Sequence, residues 1–186
     1  MKKTTFSSLL AAMLLLMGST AWADTYTHTF VTTDIPQGTS DTAFTLSGLD
    51  WTLTLDGGLV SVFSNDQGTH FGTNKATCNS VTLSTDGIPG TVASVTVEAS
   101  RGKNLVGAMS VSVGGTEYLL ADGTATSPLT DANTAYEYTG AASGQLAITW
   151  TMESGQGAFY IKKITVEYTD GGVIVARPVI TPAGGT

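Results

Sequence analysis

The sequence predicts an all-β fold, a two-sheet antiparallel β-sandwich of the jelly-roll type, and three observations carry that prediction. Apolar residues recur at every second position in almost every segment from Asp24 to Tyr168. No window carries the 3.6-residue apolar stripe of an amphipathic helix. Glycine-rich turns separate about eleven short runs of this kind, the spacing of an all-β sandwich. No Cys-Trp-Cys pattern favours an immunoglobulin fold, and no internal repeat favours a propeller or solenoid.

The elements follow in order. Tyr26, His28 and Phe30 share one side of a first strand, and Asp34 to Asp41 reads as a loop. Phe44 and Leu46 precede a turn at Gly48, after which Leu49, Trp51, Leu53 and Leu55 alternate with polar residues. Asp56-Gly57-Gly58 carries the signal of a tight hairpin returning through Leu59 to Phe63. Ser64 to Gln67 reads as a polar loop, followed by short strands at Thr69 to Phe71 and around Val81 and Leu83. Thr91 to Ala99 is the cleanest half-buried strand, with Ala93, Val95, Val97 and Ala99 inward and Ser94, Thr96 and Glu98 outward. Arg101 to Asn104 reads as a solvated loop; Met109, Val111 and Val113 alternate, and Gly114-Gly115 turns the chain into Thr116 to Leu120. Ala121 to Asn133 reads as irregular, Tyr136 and Tyr138 share a face, and Leu146, Ile148 and Trp150 alternate again before a loop over Met152 to Gly157. The closing run, Phe159 to Tyr168, is the longest. Its inward phase changes from odd to even positions across Lys162-Lys163, which predicts a β-bulge there.

The two ends read differently. Lys2-Lys3, the apolar run Leu9 to Met17 and the small residues before Asp24 have the three parts of a secretory signal peptide, so residues 1–23 are expected to be a leader and the mature protein to be exported, at the surface, in the periplasm or outside the cell. The apolar run is too short to span a bilayer, so no membrane insertion is expected once the leader is gone. Residues 171–186, with two prolines in Arg177 to Thr186, are expected to be a linker and the truncated start of a following module. The sandwich is assigned to residues 24–170.

Composition narrows the function. The net charge is −7, and loss of Lys2 and Lys3 makes the remainder more acidic, which disfavours nucleic acid and anionic lipid as partners. Acidity of this kind keeps an exported protein soluble; a structural Ca²⁺ held by some of the carboxylates is the alternative use. Cys78 is the single cysteine, so the fold must rest on its hydrophobic core.

Several segments together resemble a known module: Leu49 to Trp51, FGTNK (Phe71 to Lys75), VTLSTDGIPGTVASVTVEAS (Val81 to Ser100), SVSVGGTEY (Ser110 to Tyr118), SGQLAITWT (Ser143 to Thr151) and AFYIKKITVEY (Ala158 to Tyr168). In this order they resemble the jelly-roll module of secreted and surface proteins of gut-type bacteria, a distant relative of carbohydrate-binding jelly rolls. PVITPAGGT (Pro178 to Thr186) is similar to the opening of the chitobiase C-terminal-type β-sandwich module. The resemblance implies an accessory domain of a larger protein.

The candidate chemistry is sparse. Asp50, Asp56, Asp66 and Asp86 fall at turns, where a short carboxylate caps nearby amides. No spacing singles out an acid/base pair, no G-x-S-x-G elbow and no phosphate-binding G-x-x-x-x-G-K-[ST] loop is present, and no catalysis is expected. His28 and His70 lack the near neighbours of a local metal site and read as packed or solvated. Trp51 and Trp150 fall in register with apolar neighbours and read as core. Tyr160, facing away from Phe159 and Ile161, and Tyr118, Tyr136 and Tyr138, near loops, are the candidate ligand-binding residues, because a sugar's C–H face stacks on an exposed ring. The sequence therefore predicts a non-catalytic module that binds a polysaccharide or cell-surface glycan. A structural spacer or protein-interaction domain, favoured by Thr and Ser on the outward faces, is the alternative.

Overall fold

The computed structural model describes residues 23–31, 33–35, 42–57, 62–65 and 68–170. Within them the chain forms thirteen strands and no helix: β1 (Ala23–Thr29), β2 (Thr42–Leu46), β3 (Leu49–Asp56), β4 (Val62–Asn65), β5 (Gly68–Phe71), β6 (Ser80–Thr85), β7 (Thr91–Arg101), β8 (Leu105–Val113), β9 (Thr116–Glu117), β10 (Thr126–Pro128), β11 (Thr134–Ala142), β12 (Leu146–Gly155) and β13 (Phe159–Thr169). The expected leader before Ala23 and the expected linker over 171–186 lie outside the described residues.

Two antiparallel sheets result. One runs β11-β7-β13-β5-β4, with β1 also on β13; the other runs β10-β8-β12-β6-β3-β2, with β9 also on β8. From β5 to β8, and again from β11 to β13, each strand crosses to the opposite sheet. The four-strand sets β5-β13-β7-β11 and β6-β12-β8-β10 face each other, which is jelly-roll connectivity. To this frame the chain adds β1 beside β13, the β2–β3 hairpin beside β6, and β4 beside β5.

The closing strand β13 lies inside its sheet and organises it. Its bulge is at Lys162, where the pairing with β7 skips from Ile161 to Lys163. Before the bulge β13 pairs with β5 through Phe159–Ile161, and after it with β1 through Lys163–Thr169. The bulged Lys162 carbonyl accepts from the Phe30 amide at 3.0 Å, so the extra residue marks the place where one neighbour hands over to the next.

The inner faces bury most of what the alternation assigns to them. Val95, Val97 and Ala99 of β7, Ile148 and Trp150 of β12, and Phe159, Ile161, Ile164 and Val166 of β13 are all shielded from water. Trp51 and Trp150 are fully enclosed, the latter with its ring centroid 5.8 Å from that of Phe71. Cys78 is buried just before β6, and desolvation pushes its thiol up to about 11.

Six sequence readings need correction. Met152 to Gly155 continue β12 and are not part of a loop. Asp56-Gly57 does not close a hairpin onto the following strand, because β3 pairs with β2 and β6 while β4 belongs to the other sheet. Ser64 and Asn65 are in β4, not a loop. Ala93 is exposed while Val92 and Ser94 are buried, since the inward phase shifts near the start of β7, where the registers with both β13 and β11 also shift. The irregular connection contains β10, whose Pro128 sits at a sheet edge, where a missing N–H costs no ladder bond. Arg101 ends β7, and its guanidinium donates to the carbonyls of Leu129 (2.8 Å), Gly102 (3.1 Å) and Lys103 (3.2 Å), pinning the β10–β11 connection.

Candidate functional site

The outward phase of β13 puts Tyr160 on the exterior of the β11-β7-β13-β5-β4 sheet, and antiparallel pairing sets His70 of β5 directly across from it. Their rings meet edge to face, with centroids 4.4 Å apart at 74°. Beyond β5 the chain passes Gly72 into a tight turn in which Thr73 and Ala76 exchange backbone hydrogen bonds of 3.0 and 3.2 Å, leaving Asn74 exposed at its tip. The Gly157 amide donates to Thr77 Oγ1 at 3.0 Å, tying the approach to β13 against this turn. His70, Gly72, Thr73, Asn74, Ala158 and Tyr160 thus line an open depression of about 220 Å³.

Its chemistry is that of neutral hydrogen bonding beside an aromatic surface. Burial raises the Tyr160 hydroxyl above the ordinary tyrosine range, so it stays protonated near neutrality. Burial lowers His70 to about 4, so its imidazole is uncharged at neutral pH. A histidine whose folded value lies below its unfolded value withholds a proton that the unfolded chain takes up. Its contribution is therefore complete above about pH 6.5, the unfolded value, and is lost as pH falls from there toward 4. The expected outcome is a His70 imidazole resonance that keeps its neutral shift down to about pH 4, with thermal stability declining between pH 6.5 and 4. A His70 midpoint near 6.5 by NMR titration overturns this.

The other three candidate tyrosines are structural. Tyr138 is fully buried, and its hydroxyl donates to the Met109 carbonyl at 2.6 Å and pairs with Ser127 Oγ, joining β11 across the core to β8 and β10. Tyr118 is equally enclosed; its hydroxyl donates to the Val92 carbonyl at 2.6 Å and accepts from the Ala142 amide at 2.9 Å. Neither ring offers a face to a ligand, and both leave the binding set. Tyr136 is half-buried, and its hydroxyl accepts from the Thr130 amide at 3.2 Å, which fixes the β10–β11 connection and not the Tyr160 depression. Period-two alternation carries no signal for what a tyrosine hydroxyl at the end of its ring will reach.

A second, wider depression of about 450 Å³ lies on the other sheet and is lined among others by Gly48, Leu49, Asp50, Asp86 and Gln145. Asp50 accepts from Thr45 Oγ1 at 2.9 Å and Asp86 from Gln145 Nε2 at 3.3 Å. The fold brings these two carboxylates to one rim, which their separation in sequence did not announce. Asp66 lies outside the described residues. Among the described residues no group of three or more His, Cys, Asp or Glu side chains is arranged to hold a metal ion.

No protein-family model matches the chain, and no curated protein matches it in sequence. Among solved structures it is similar to a family two carbohydrate esterase from Cellvibrio japonicus, with a TM-score of 0.42 and 15% identity over 80% of this chain and 35% of that one. The chain therefore spans about a third of the esterase's length. It is also similar to TmCBM61 in complex with β-1,4-galactotriose (TM-score 0.40, 20% identity, 62% of this chain and 86% of that one). A third likeness is to the enzymatically active domain of bacteriophage CBA120 tailspike protein 4 (TM-score 0.35, 18% identity, 62% of this chain and 19% of that one). The fold class rests on the strand order given above.

Proposed function

We propose that this protein is an exported accessory module that binds glycan through the Tyr160 depression without turning it over, as part of a larger protein. The observation that carries the reading is the outward Tyr160 ring, held edge-on by His70 and rimmed by the polar residues Thr73 and Asn74. A pyranose has an apolar C–H face for the ring and hydroxyls for the rim, and a shallow, open site suits one or two residues of a polymer rather than an engulfed monomer. Neutral His70 adds no charge. The resemblance to the jelly-roll module of gut-type bacterial proteins and to the start of a chitobiase-type module supports placing it beside a further domain.

Affinity electrophoresis through gels containing a panel of polysaccharides tests this. At least one neutral glycan is expected to retard the chain, and Tyr160→Ala to weaken retardation at least about tenfold, equivalent to roughly 1.4 kcal/mol. Tyr118→Phe, away from the depression, is expected to retain it. Mobility unchanged by every glycan, or equal retardation of Tyr160→Ala and wild type, removes the reading.

A second reading, a ligand-free spacer, draws on one observation. Thr126, Ser110, Thr149, Thr82 and Thr54 form a continuous uncharged row across β10, β8, β12, β6 and β3, with the Thr82 and Thr149 hydroxyls 3.1 Å apart. Such a surface stays hydrated without recruiting a charged partner.

A further inference from the structure

The β2–β3 connection holds an arrangement that neither the spacing in sequence nor the glycan reading accounts for. Ser47 and Gly48 form a two-residue turn with φ of +46° and +85°, the positive pair of a type I′ hairpin. Glycine tolerates that conformation; serine is strained by it, and Ser47 is the one described non-glycine residue with positive φ. The strained residue is exposed, and its Oγ lies 2.9 Å from Nδ1 of His28. His28 Nε2 in turn lies 2.9 Å from Asp34 Oδ2.

Each partner is held in place by the local chain. The pairing of β1 with β13 sets His28 opposite Ile164, facing inward, where the Phe30 ring packs against it edge-on at 4.8 Å and 89°. After β1 the chain turns so that the Asp34 amide donates to the Val31 carbonyl at 3.2 Å, and Asp34 Oδ2 accepts from the Val31 amide at 2.6 Å. That turn aims the carboxylate back at the imidazole. His28 and Asp34 side chains are 8% and 14% exposed, so the relay is shielded while the serine at its end meets solvent.

We propose that Ser47, His28 and Asp34 form an acyl-transfer site in which Ser47 is the nucleophile, His28 the general base and Asp34 the group that orients it. Such a set is defined by mutual geometry and role, not by chain position. Here Nδ1 faces the serine and Nε2 the carboxylate. With its hydrogen on Nε2, neutral His28 donates to Asp34 and presents the Nδ1 lone pair to the serine O–H. The substrate class is a small acyl ester of a larger alcohol. The turn is open to solvent on the serine side, and the residues that follow it, Gly48, Leu49 and Asp50, line the 450 Å³ depression that can take the alcohol. The Gly48 amide, next after the nucleophile, is the donor placed by chain position to meet the developing oxyanion.

In the first step Ser47 Oγ bonds to the acyl carbon, its proton passes to His28 Nδ1, the ester C–O bond breaks, and the alcohol leaves with that proton. In the second, water adds to the acyl carbon, its proton passing through His28 to Ser47 Oγ as the carboxylic acid departs. No further reactant is needed. The proposal concerns a different corner of the sandwich from the Tyr160 depression and is independent of it.

The full chain treated with a fluorophosphonate probe and mapped by mass spectrometry is the test, with p-nitrophenyl acetate as substrate. Ser47 is expected to be the serine modified, and both labelling and nitrophenolate release to fall at least about 100-fold in Ser47→Gly, which also relieves the turn and keeps or raises the melting temperature. His28→Gln and Asp34→Asn are expected to slow labelling of a still-present Ser47 at least about tenfold in folded protein. A purely structural stitch makes a different prediction: these substitutions change the melting temperature, but wild-type Ser47 reacts no faster than other surface serines. That result, or labelling of Ser47 unchanged by His28→Gln, overturns the proposal.

Discussion

Replacing Trp51 by alanine is expected to remove about 3–5 kcal/mol of stability, the range for emptying a fully enclosed tryptophan site. The indole is 1% exposed, its ring centroid is 6.1 Å from that of Tyr26, and its Nε1 donates to the Tyr26 hydroxyl at 3.2 Å. That hydroxyl donates in turn to the Leu46 carbonyl at 2.9 Å, so one chain of hydrogen bonds ties β3 to β1 and back to β2 across the sandwich. Alanine leaves a void too deep for the two sheets to close and strips the Tyr26 oxygen of its donor. For a domain of this size the melting temperature is expected to fall by roughly 10–15 °C. Trp51→Phe retains most of the volume and should cost about 1–3 kcal/mol, chiefly the unmatched hydroxyl. Equal effects of the two substitutions in urea unfolding would show that packing contributes little here.

The stretches that could be read in advance are those where one physical signal decides the answer. In β7 from Val95 to Ala99, in β12 from Leu146 to Trp150 and in β13 a buried face alternates with a wetter one, so period-two hydrophobicity decides both strand and facing, and the extra residue at Lys162 shows as a phase slip. Tyr160 was legible for the same reason, because an aromatic residue out of phase with Phe159 and Ile161 must point outward. Partner choice is a different matter. Asp56-Gly57-Gly58 has hairpin chemistry, yet whether β3 takes its neighbour from the next strand or from β6 is settled by which sheet can bury Leu53 and Leu83 together. Likewise β10 shows little local signal, since a three-residue Thr-Ser-Pro edge strand exists only because β8 offers it a ladder.

The two polar sites divide along the same line. His70 meets Tyr160 through a strand pairing that sequence order does not encode. The grouping of His28, Asp34 and Ser47 depends on β1 docking beside β13 while the β2–β3 turn reaches over from the opposite sheet. Ser47 did carry one local sign: Leu46-Ser47-Gly48-Leu49 is a two-residue connection between apolar strand ends, and the first position of such a turn ordinarily goes to Asn, Asp or Gly.

Gly68→Ala is expected to lower stability by about 3–4 kcal/mol. Gly68 opens β5 with φ +103°, a conformation that strains any side chain, and an added Cβ would run into the Ile161 carbonyl and the Lys162 backbone. Those atoms belong to the bulge that switches β13 from β5 to β1, so they cannot retreat without loosening both pairings. Gly48→Ala separates the two contributions. Gly48 also has positive φ, at +85°, but a Cβ there meets nothing within 4 Å, so only the dihedral cost of about 1 kcal/mol applies. If chemical denaturation shows Gly68→Ala no worse than Gly48→Ala, β5 is not seated against the bulge and the sheet is not organised around Lys162. If the larger loss appears, proteolysis in the unfolding range should cut first near β5, whose pairing with β13 spans only Phe159–Ile161, before the longer β7–β13 ladder opens.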